Sequence, residues 1–475
     1  MNRAYLMKHR QYRQCTPLGT QRGQALVLGL FLAMLLAVAL IYQFGVGQVV
    51  GRKARLMHAT DAAAYSGALI QARALNMQAY INLTQTAHQV AMAHLVTLGS
   101  WSLFAAAQGQ QLAKFNPPAH VIGMMFGARH LTGYTASSSA MALRNMARSG
   151  GKLPRLFAEH DRIVRHVLQS ASHAIHQSMQ STRDRAITQV LEQNFPDSTV
   201  TQLLLPRQDT TAHGQTRTAV PVSYPPDRSA PVSWSARNHL EKSYTALHKP
   251  GAGYRRFLED VVALYDFLGV RDHVTRNGWM VHYQCPHLRH ELRRRGRTVL
   301  DSNGNWQSTD TLSYHALRSN QYIGCYYREY PMGWGWITAR EGKPGADMPY
   351  SEEAPGNFGD IDFWRWVTQA TSWDIFTGRA NPLANSYAVA GTPQWKGGGL
   401  IPYYDLRQEH RHRPLGFTIN VTQHFSDQPA LTVVASAETF YELASQNRQY
   451  RTELAGMWHP FWQAHLVANP PAREN

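Results

Sequence analysis

The residues that most resemble a chemical site are two cysteines and two histidines in the second half of the chain. Cys285 and His287 stand two positions apart, His290 follows, and Cys325 lies 40 positions after Cys285. Thiolates and imidazoles bind structural zinc, but such sites are typified by tighter pairs. A disulfide between Cys285 and Cys325 is the interpretation we favour, because Cys15 is the only other cysteine. Two unrelated buried thiols remain an alternative.

Three further patterns could carry chemistry, and each has a plainer interpretation. His173 and His176 have the i,i+3 spacing of a metal pair, without an adjacent carboxylate or cysteine, so we interpret them as solvated helix residues. The glycine-rich stretch 396–399 lacks the order of a phosphate-binding loop. The stretch 301–305 resembles the start of a calcium loop, but Leu312 stands where the bidentate glutamate belongs.

Aromatic clusters at 334–336 and 363–366 could stack on sugars, although core packing is the interpretation we favour. The common hydrolase, zinc-protease and dinucleotide-binding motifs do not occur. We therefore predict no catalytic residue, no cofactor and no metal. A glycan-binding protein or hydrolase of the cell envelope is retained as an alternative, because missing motifs do not exclude catalysis.

The chain has 475 residues, of which 44% are hydrophobic and only 16% are charged, with a formal net charge of +16. Such an excess can indicate nucleic acid, anionic lipid or an acidic polymer as a partner. Asp61 is the only acidic residue before Glu159. The charge therefore comes partly from missing acids, which argues against a dedicated nucleic-acid face.

An uncharged segment positions the rest of the chain. Residues 25–41 are uninterrupted apolar sequence, and no charge occurs from Gln24 to Gly51. About 20 helical residues span the hydrocarbon layer of a bilayer. The sequence predicts a transmembrane helix over 24–46, in contact with membrane lipid.

The flanking charges predict the orientation of this helix. Five basic residues precede it and three follow it, which favours a cytoplasmic tail at 1–23 and a periplasmic C-terminal body. A signal peptide cleaved after Ala37-Val38-Ala39 is the alternative. Apolar residues continue directly after that tripeptide, so we favour the anchor.

The segment after the membrane predicts a long helix from 47 to about 114, because no proline occurs before Pro117. One apolar stripe has helical spacing: Tyr65, Leu69, Ala72, Asn76, Ala79 and Leu83. Ala64, Ala68 and Ala72 add a small-residue face that permits close helix packing. This face indicates either a core helix of the domain or a contact between molecules.

The remaining chain predicts helices first and an antiparallel sheet afterwards, an α+β fold. We expect helices over about 133–146, 154–194, 235–248 and 254–268, a hairpin around Asp301–Asn305, and strands at 416–422 and 430–435. This divides the chain into a helical region 47–195, a Pro-rich linker 196–234 and an α+β domain 235–475.

Two stretches resemble a known family. Arg22-Gly-Gln-Ala-Leu-Val27 precedes the apolar run, and Arg52-Lys-Ala-Arg-Leu-Met-His-Ala-Thr-Asp-Ala-Ala-Ala-Tyr-Ser-Gly67 follows it. Together they resemble the N-terminal domain of TadG-like and TadE-like proteins of the Tad (Flp) pilus apparatus, whose pattern is L-x-x-A-x-D-A-A-A-x-A-G-A. The match covers about 50 residues. The stretches 434–438 and 459–464 are similar more loosely.

The resemblance implies an inner-membrane component of pilus assembly with pilus or envelope proteins as partners, and possible homo-oligomers. The candidate helix-packing residues are Asp61, Ala62, Ala63, Ala64, Gly67, Ala68 and Ala72. Asp61 would pair with Arg55, pair with a partner's base, or remain solvated.

Two departures from the family limit the carry-over. A prepilin cut after Gly23 would place Leu28, not glutamate, at the fifth position, which argues against processing and incorporation as a major filament subunit. A minor pseudopilin that enters the filament is retained as the alternative role. The D-x-S-x-S string of metal-dependent adhesion domains is also missing.

Overall fold

A computed structural model describes residues 22–203, 230–237, 244–321, 324–338, 363–368, 395, 397, 399–425, 429–442 and 455–469. The predicted cytoplasmic tail, except for its last two residues, and most of the predicted Pro-rich linker lie outside these residues, as do Cys15 and Lys396. Within them the chain is a mixture of helices and mainly antiparallel sheets, which confirms the predicted class.

The first element is a single helix, α1 (Arg22–Ala113), of 92 residues, which is about 138 Å long at 1.5 Å per residue. Its side chains are exposed from Ala25 to Arg55, and burial begins at Leu56. The helix ends before the Asn116-Pro117 peptide, where proline removes the backbone donor. The predicted continuous helix is confirmed.

Shorter helices follow α1, and several of them pack on its buried part, which begins at Leu56. The predicted helix near 133–146 begins earlier and is broken by a 3-10 turn (Ser137–Leu143), and the one at 154–194 contains a π-helical turn (Ile163–Leu168). The helices after α1 are α2 (Ala119–Phe126), α3 (Ala128–Ala136), α4 (Arg144–Ala147), α5 (Lys152–Arg162), α6 (Gln169–Asn194), α7 (Ala252–Ala263) and α8 (Phe363–Thr368).

Eleven described strands form three sheets. They are β1 (Val200–Gln202), β2 (Val232–Arg237), β3 (Thr245–His248), β4 (His273–Arg276), β5 (Glu291–Leu300), β6 (Trp306–Asn320), β7 (Gly324–Thr338), β8 (Tyr403–Leu406), β9 (Leu415–Gln423), β10 (Leu431–Tyr441) and β11 (Trp462–Val467). A five-stranded sheet has the order β1-β2-β9-β10-β11, with β1 and β2 parallel. The four strands β4-β5-β6-β7 form an antiparallel meander, and β3 pairs with β8.

The predicted hairpin is confirmed, because Leu300 of β5 pairs with Trp306 of β6 across the turn at Asp301–Asn305. The predicted helix over 235–248 is wrong, since its described ends are the strands β2 and β3. Val232 and Trp234 are fully buried on one face of β2, which pairs with β9. Long-range pairing therefore decides the structure here, against a helical local pattern.

Four hydrophobic clusters make up most of the described core, and α1 contributes to all of them. Leu56 belongs to the cluster nearest the exposed apolar segment, Leu75 to the second, Val96 to the third, and Leu112 packs against the fourth. Each cluster also contains residues from a sheet. Residues of the predicted helical region and of the predicted α+β domain therefore share their cores.

The four-stranded sheet approaches α1 closely through glycines of β7. A Cβ atom on Gly335 would lie 1.9 Å from the Ser100 carbonyl oxygen, and one on Gly333 would lie 2.9 Å from Cβ of Gln108. Only glycine permits this distance between a strand and a helix backbone. Trp334 and Trp336, between and after these glycines, belong to a small cluster with Val299.

Gly335→Ala is expected to lower the free energy of unfolding by about 3 kcal/mol or more, because the added methyl group must push the helix and the sheet apart. Chemical denaturation of the purified protein measures this. Gly278→Ala is the matched control, since a Cβ there meets nothing within 4 Å. Equal stability of the two variants would contradict the close packing of β7 on α1.

Candidate functional site

Most of the small residues singled out in the sequence face the interior of the folded protein. Of the seven candidates, Ala63, Ala64, Gly67, Ala68 and Ala72 are buried, Asp61 is half-buried and Ala62 is exposed. A Cβ on Gly67 would lie 3.0 Å from the side chains of both Ile187 and Phe417. The small face therefore accommodates α6 and the five-stranded sheet of the same molecule, and it is not open to a helix of another.

The apolar stripe predicted on α1 is partly confirmed and lies about one residue away from the centre of the buried face. Ala72 and Ala79 are buried, whereas Tyr65 and Leu83 are exposed. The buried line also includes Gln71, Gln78 and Asn82. Apolar spacing misplaced the stripe because much of the buried face consists of amide side chains, which a hydrophobic pattern counts as surface.

Several amide side chains of α1 form hydrogen bonds with elements far along the chain. The Asn76 side chain donates to the Trp462 carbonyl and accepts from the Trp462 N–H, both at 2.9 Å. Asn82 donates to the carbonyls of Tyr404 and Met457, at 2.9 and 2.8 Å. The carbonyl oxygen of the Gln89 side chain accepts from the Trp306 indole at 3.1 Å. Buried backbone groups of the body are thereby satisfied by α1.

Two arginines at the end of the exposed apolar segment contact the folded body, by which we mean the described residues from Leu56 onward. Their contacts form the base of this body. Arg55 donates to the Asn194 carbonyl at 2.9 Å, at the C-terminus of α6, and its guanidinium lies 5.5 Å from the centre of the Phe195 ring. The Arg52 guanidinium lies 5.3 Å from the Phe425 ring centre. Cations stabilise helix C-termini and aromatic faces. The body is thus attached directly at the end of the apolar segment.

Asp61 makes no ion pair with Arg55, and both residues lie within the described part of the chain. They are six positions apart in the chain, which places their side chains about 120° apart around an ideal helix. Of the three interpretations of Asp61, the intrachain pair with Arg55 is therefore wrong. Its half-buried carboxylate lies beside exposed Ala62.

The opposite face of α1 is exposed over the first part of the body. Its exposed side chains recur at helical spacing, and the larger ones are mainly apolar. They are Ala62, Tyr65, Arg73, Met77, Tyr80 and Leu83. This exposed face spans 22 residues, about 32 Å.

The structure joins Cys285 and Cys325 in a disulfide, which links the loop before β5 to the start of β7. The Nδ1 atom of His290 accepts the Leu317 N–H at 3.0 Å. With both thiols in the disulfide, the proposed Cys/His zinc site has no thiolate ligand. In the described residues there is no group of three or more His, Cys, Asp or Glu side chains that could hold a metal.

The other candidate patterns have structural partners. His173 Nδ1 lies 2.6 Å from the Tyr404 hydroxyl, and His176 Nδ1 lies 2.6 Å from the Thr245 hydroxyl. His173 is exposed, as predicted, whereas His176 is half-buried, so the prediction of a solvated side chain is wrong for His176 alone. The Asp301 carboxylate accepts the N–H groups of Asn303 and Asn305 at 2.8 Å, which is an Asx-type turn, as predicted.

No protein-family model, curated protein or solved structure matches the chain. The resemblance to TadG-like proteins therefore stays a prediction, which depends on residues at the two ends of the apolar segment and on looser matches near the C-terminus. The structure does supply one functional feature independently. One described helix is long and apolar enough to cross a membrane, and none of its most apolar stretch is buried.

Ala64→Leu is expected to destabilise the fold by about 1–3 kcal/mol, because the larger side chain overpacks the contact with the five-stranded sheet. Ala62→Leu, two positions away on the exposed side, should change stability by less than about 0.5 kcal/mol. Thermal unfolding of both variants in detergent provides the comparison. The reverse order of stabilities would show that the two faces of α1 are exchanged.

Stability should fall as the pH decreases from about 6.5 towards 4. Burial, followed by the nearby charges of Arg318 and His282, lowers the pKa of His290 to about 4. Below pH 6.5 the unfolded chain binds a proton at this ring that the folded chain excludes, so unfolding is favoured. His290→Gln can retain the hydrogen bond from Leu317 and should flatten this slope. An unchanged pH slope in the variant would contradict the assignment.

Proposed function

We propose that this chain is a non-catalytic, single-pass membrane component of Tad-type pilus assembly, with its body on the periplasmic side of the inner membrane. The observation that carries the proposal is the continuity of α1. One unbroken helix contains an apolar segment, exposed from Ala25 to Arg55, and continues as the helix on which the sheets of the folded body pack.

The apolar segment supports anchoring in a bilayer. Its 0% burial means that the fold provides no protein surface for these side chains, whereas the core helix of a water-soluble protein would be covered. A signal sequence satisfies the same criterion of length and composition. We favour a retained anchor because Arg52 and Arg55 bind the base of the body directly after it.

The continuous helix supports a mechanical role. Because α1 passes from the apolar segment into the body without a break, a displacement or rotation of the anchor is transmitted to the sheets that pack on it. The exposed face, from Ala62 to Leu83, is the part of this helix available to another assembly protein. The Tad assignment itself is supported by the sequence similarity and by these features together.

A minor pseudopilin that enters the filament is the second candidate, favoured by the apolar helix that begins beside Gly23. N-terminal sequencing of the mature protein separates the two roles. An intact N-terminus, or one lacking only the initiator methionine, is expected for an anchor. A start at Gln24 would favour the pseudopilin.

Site-specific photo-crosslinking tests the assembly role in cells that produce Tad-type pili. A photoreactive residue at Met77 or Tyr80 is expected to give adducts with pilus-assembly proteins, because both side chains are more than half exposed, at 52% and 55%. Gln78, buried at 1% exposure between them on the same helix, is the matched control and should give none.

A C-terminal reporter tests the topology in the same cells. We expect activity for a reporter that works only outside the cytoplasm. The proposal is overturned if the reporter is active only in the cytosol. It is also overturned if Met77 and Tyr80 give no adduct with the pilus apparatus while the protein remains in the membrane.

A further inference from the structure

A cavity of about 270 Å³ lies between the C-terminal end of α1, helices α2 and α3, and the four-stranded sheet. Its apolar walls include Ile122, Leu292 and Met332, which belong to one hydrophobic cluster. At about 30 Å³ per water, this volume equals about nine water molecules, so it suits a small ligand.

Four basic side chains contribute to the same cavity: Arg129, His130, His273 and Arg294. Among the described residues that line it there is no carboxylate. The Thr275 hydroxyl lies 3.1 Å from Nε2 of His130 and 3.2 Å from Nε2 of His273, so one hydroxyl links both rings at the wall. Cationic and neutral hydrogen-bonding groups thus converge on an apolar space.

The charge around the cavity is unbalanced. Burial lowers the pKa of His130, and the neighbouring charges of His273 and Arg129 lower it further. Each of these causes disfavours a positive charge on the ring. A bound anion would act against the two electrostatic causes, because it would compensate the repulsion between the basic groups.

A buried ion cluster behind the wall adds to this excess. Asp310 is fully buried and accepts hydrogen bonds from Arg271, Arg294 and Ser100. The formal charges are +1 for each arginine and −1 for the carboxylate, so the cluster carries +1. Arg294 is the member that also lines the cavity, with its guanidinium 4.6 Å from the centre of the Phe104 ring. The Arg294 side chain is 28% exposed, so the excess positive charge lies at the cavity wall, where it would attract an anion.

We propose that this cavity is a binding site for a small organic anion, a carboxylate with a short apolar body. The carboxylate would lie among Arg129, His273 and Arg294, and the apolar part would contact Ile122, Leu292 and Met332. The shape and charge favour this class over inorganic anions, which leave the apolar walls unused, and over cations, which the basic groups repel. The inference is independent of the role in pilus assembly.

Calorimetric titration of the full-length protein in lipid nanodiscs tests the site, with hexanoate as the probe. We expect saturable binding of one hexanoate per chain, weaker binding of inorganic phosphate and no binding of hexylammonium. Arg129→Gln and His273→Gln should each weaken hexanoate binding about tenfold or more, because each replaces a basic group that faces the carboxylate by a neutral amide, whose hydrogen bond to a carboxylate is weaker. Both residues are exposed enough for the variants to fold.

Arg256→Gln is the matched control, since it makes the same change at an exposed position of α7 outside the cavity, and it should bind hexanoate as the unmodified protein does. The proposal is overturned if all three variants bind hexanoate equally, if hexylammonium binds as tightly as hexanoate, or if no saturable binding occurs. Phosphate that binds as tightly as hexanoate would overturn the apolar part of the assignment.

Discussion

The fold depends on hydrogen bonds between amide side chains of one helix and the backbone of distant strands. A helix buried by apolar contacts alone can rotate or slide at modest cost, because the hydrophobic effect has no direction. The amides of Asn76 and Asn82 each bind two backbone groups in fixed geometry. Moving α1 by one residue would leave several buried polar groups unpaired, each at a cost of about 1–3 kcal/mol. The sheets are thereby held in one register relative to the apolar segment.

This constraint explains the unusual composition of the first third of the chain. Charged groups are almost missing from the buried face of α1, whereas Gln71, Gln85 and Gln89 are nearly inaccessible to solvent. A neutral amide can donate and accept, which suits a helix that contacts strand edges and loops as well as apolar surfaces. Alanine and glycine occupy the positions where a sheet or α6 approaches most closely, as at Gly67.

Elements specified by local sequence were predictable. The length of α1 follows from the lack of proline, and the β5–β6 hairpin follows from its turn residues. The region at Ser235–His248 was not predictable, because its strands gain stability from β8 and β9, more than 150 residues later in the chain. The phase of α1 was missed because buried amides look polar in sequence. The basic cavity was also invisible, since Arg129, His273 and Arg294 come from three elements that only the fold brings together.

The reciprocal hydrogen bonds between Asn76 and Trp462 join residues 386 positions apart. When a ribosome has made α1, the strand that completes its polar face does not yet exist. The amides of α1 therefore lack their protein partners until synthesis has reached β11. Contacts so distant in sequence form late in folding. Water must occupy those amides in the meantime, so the nascent body needs protection from aggregation for most of its translation.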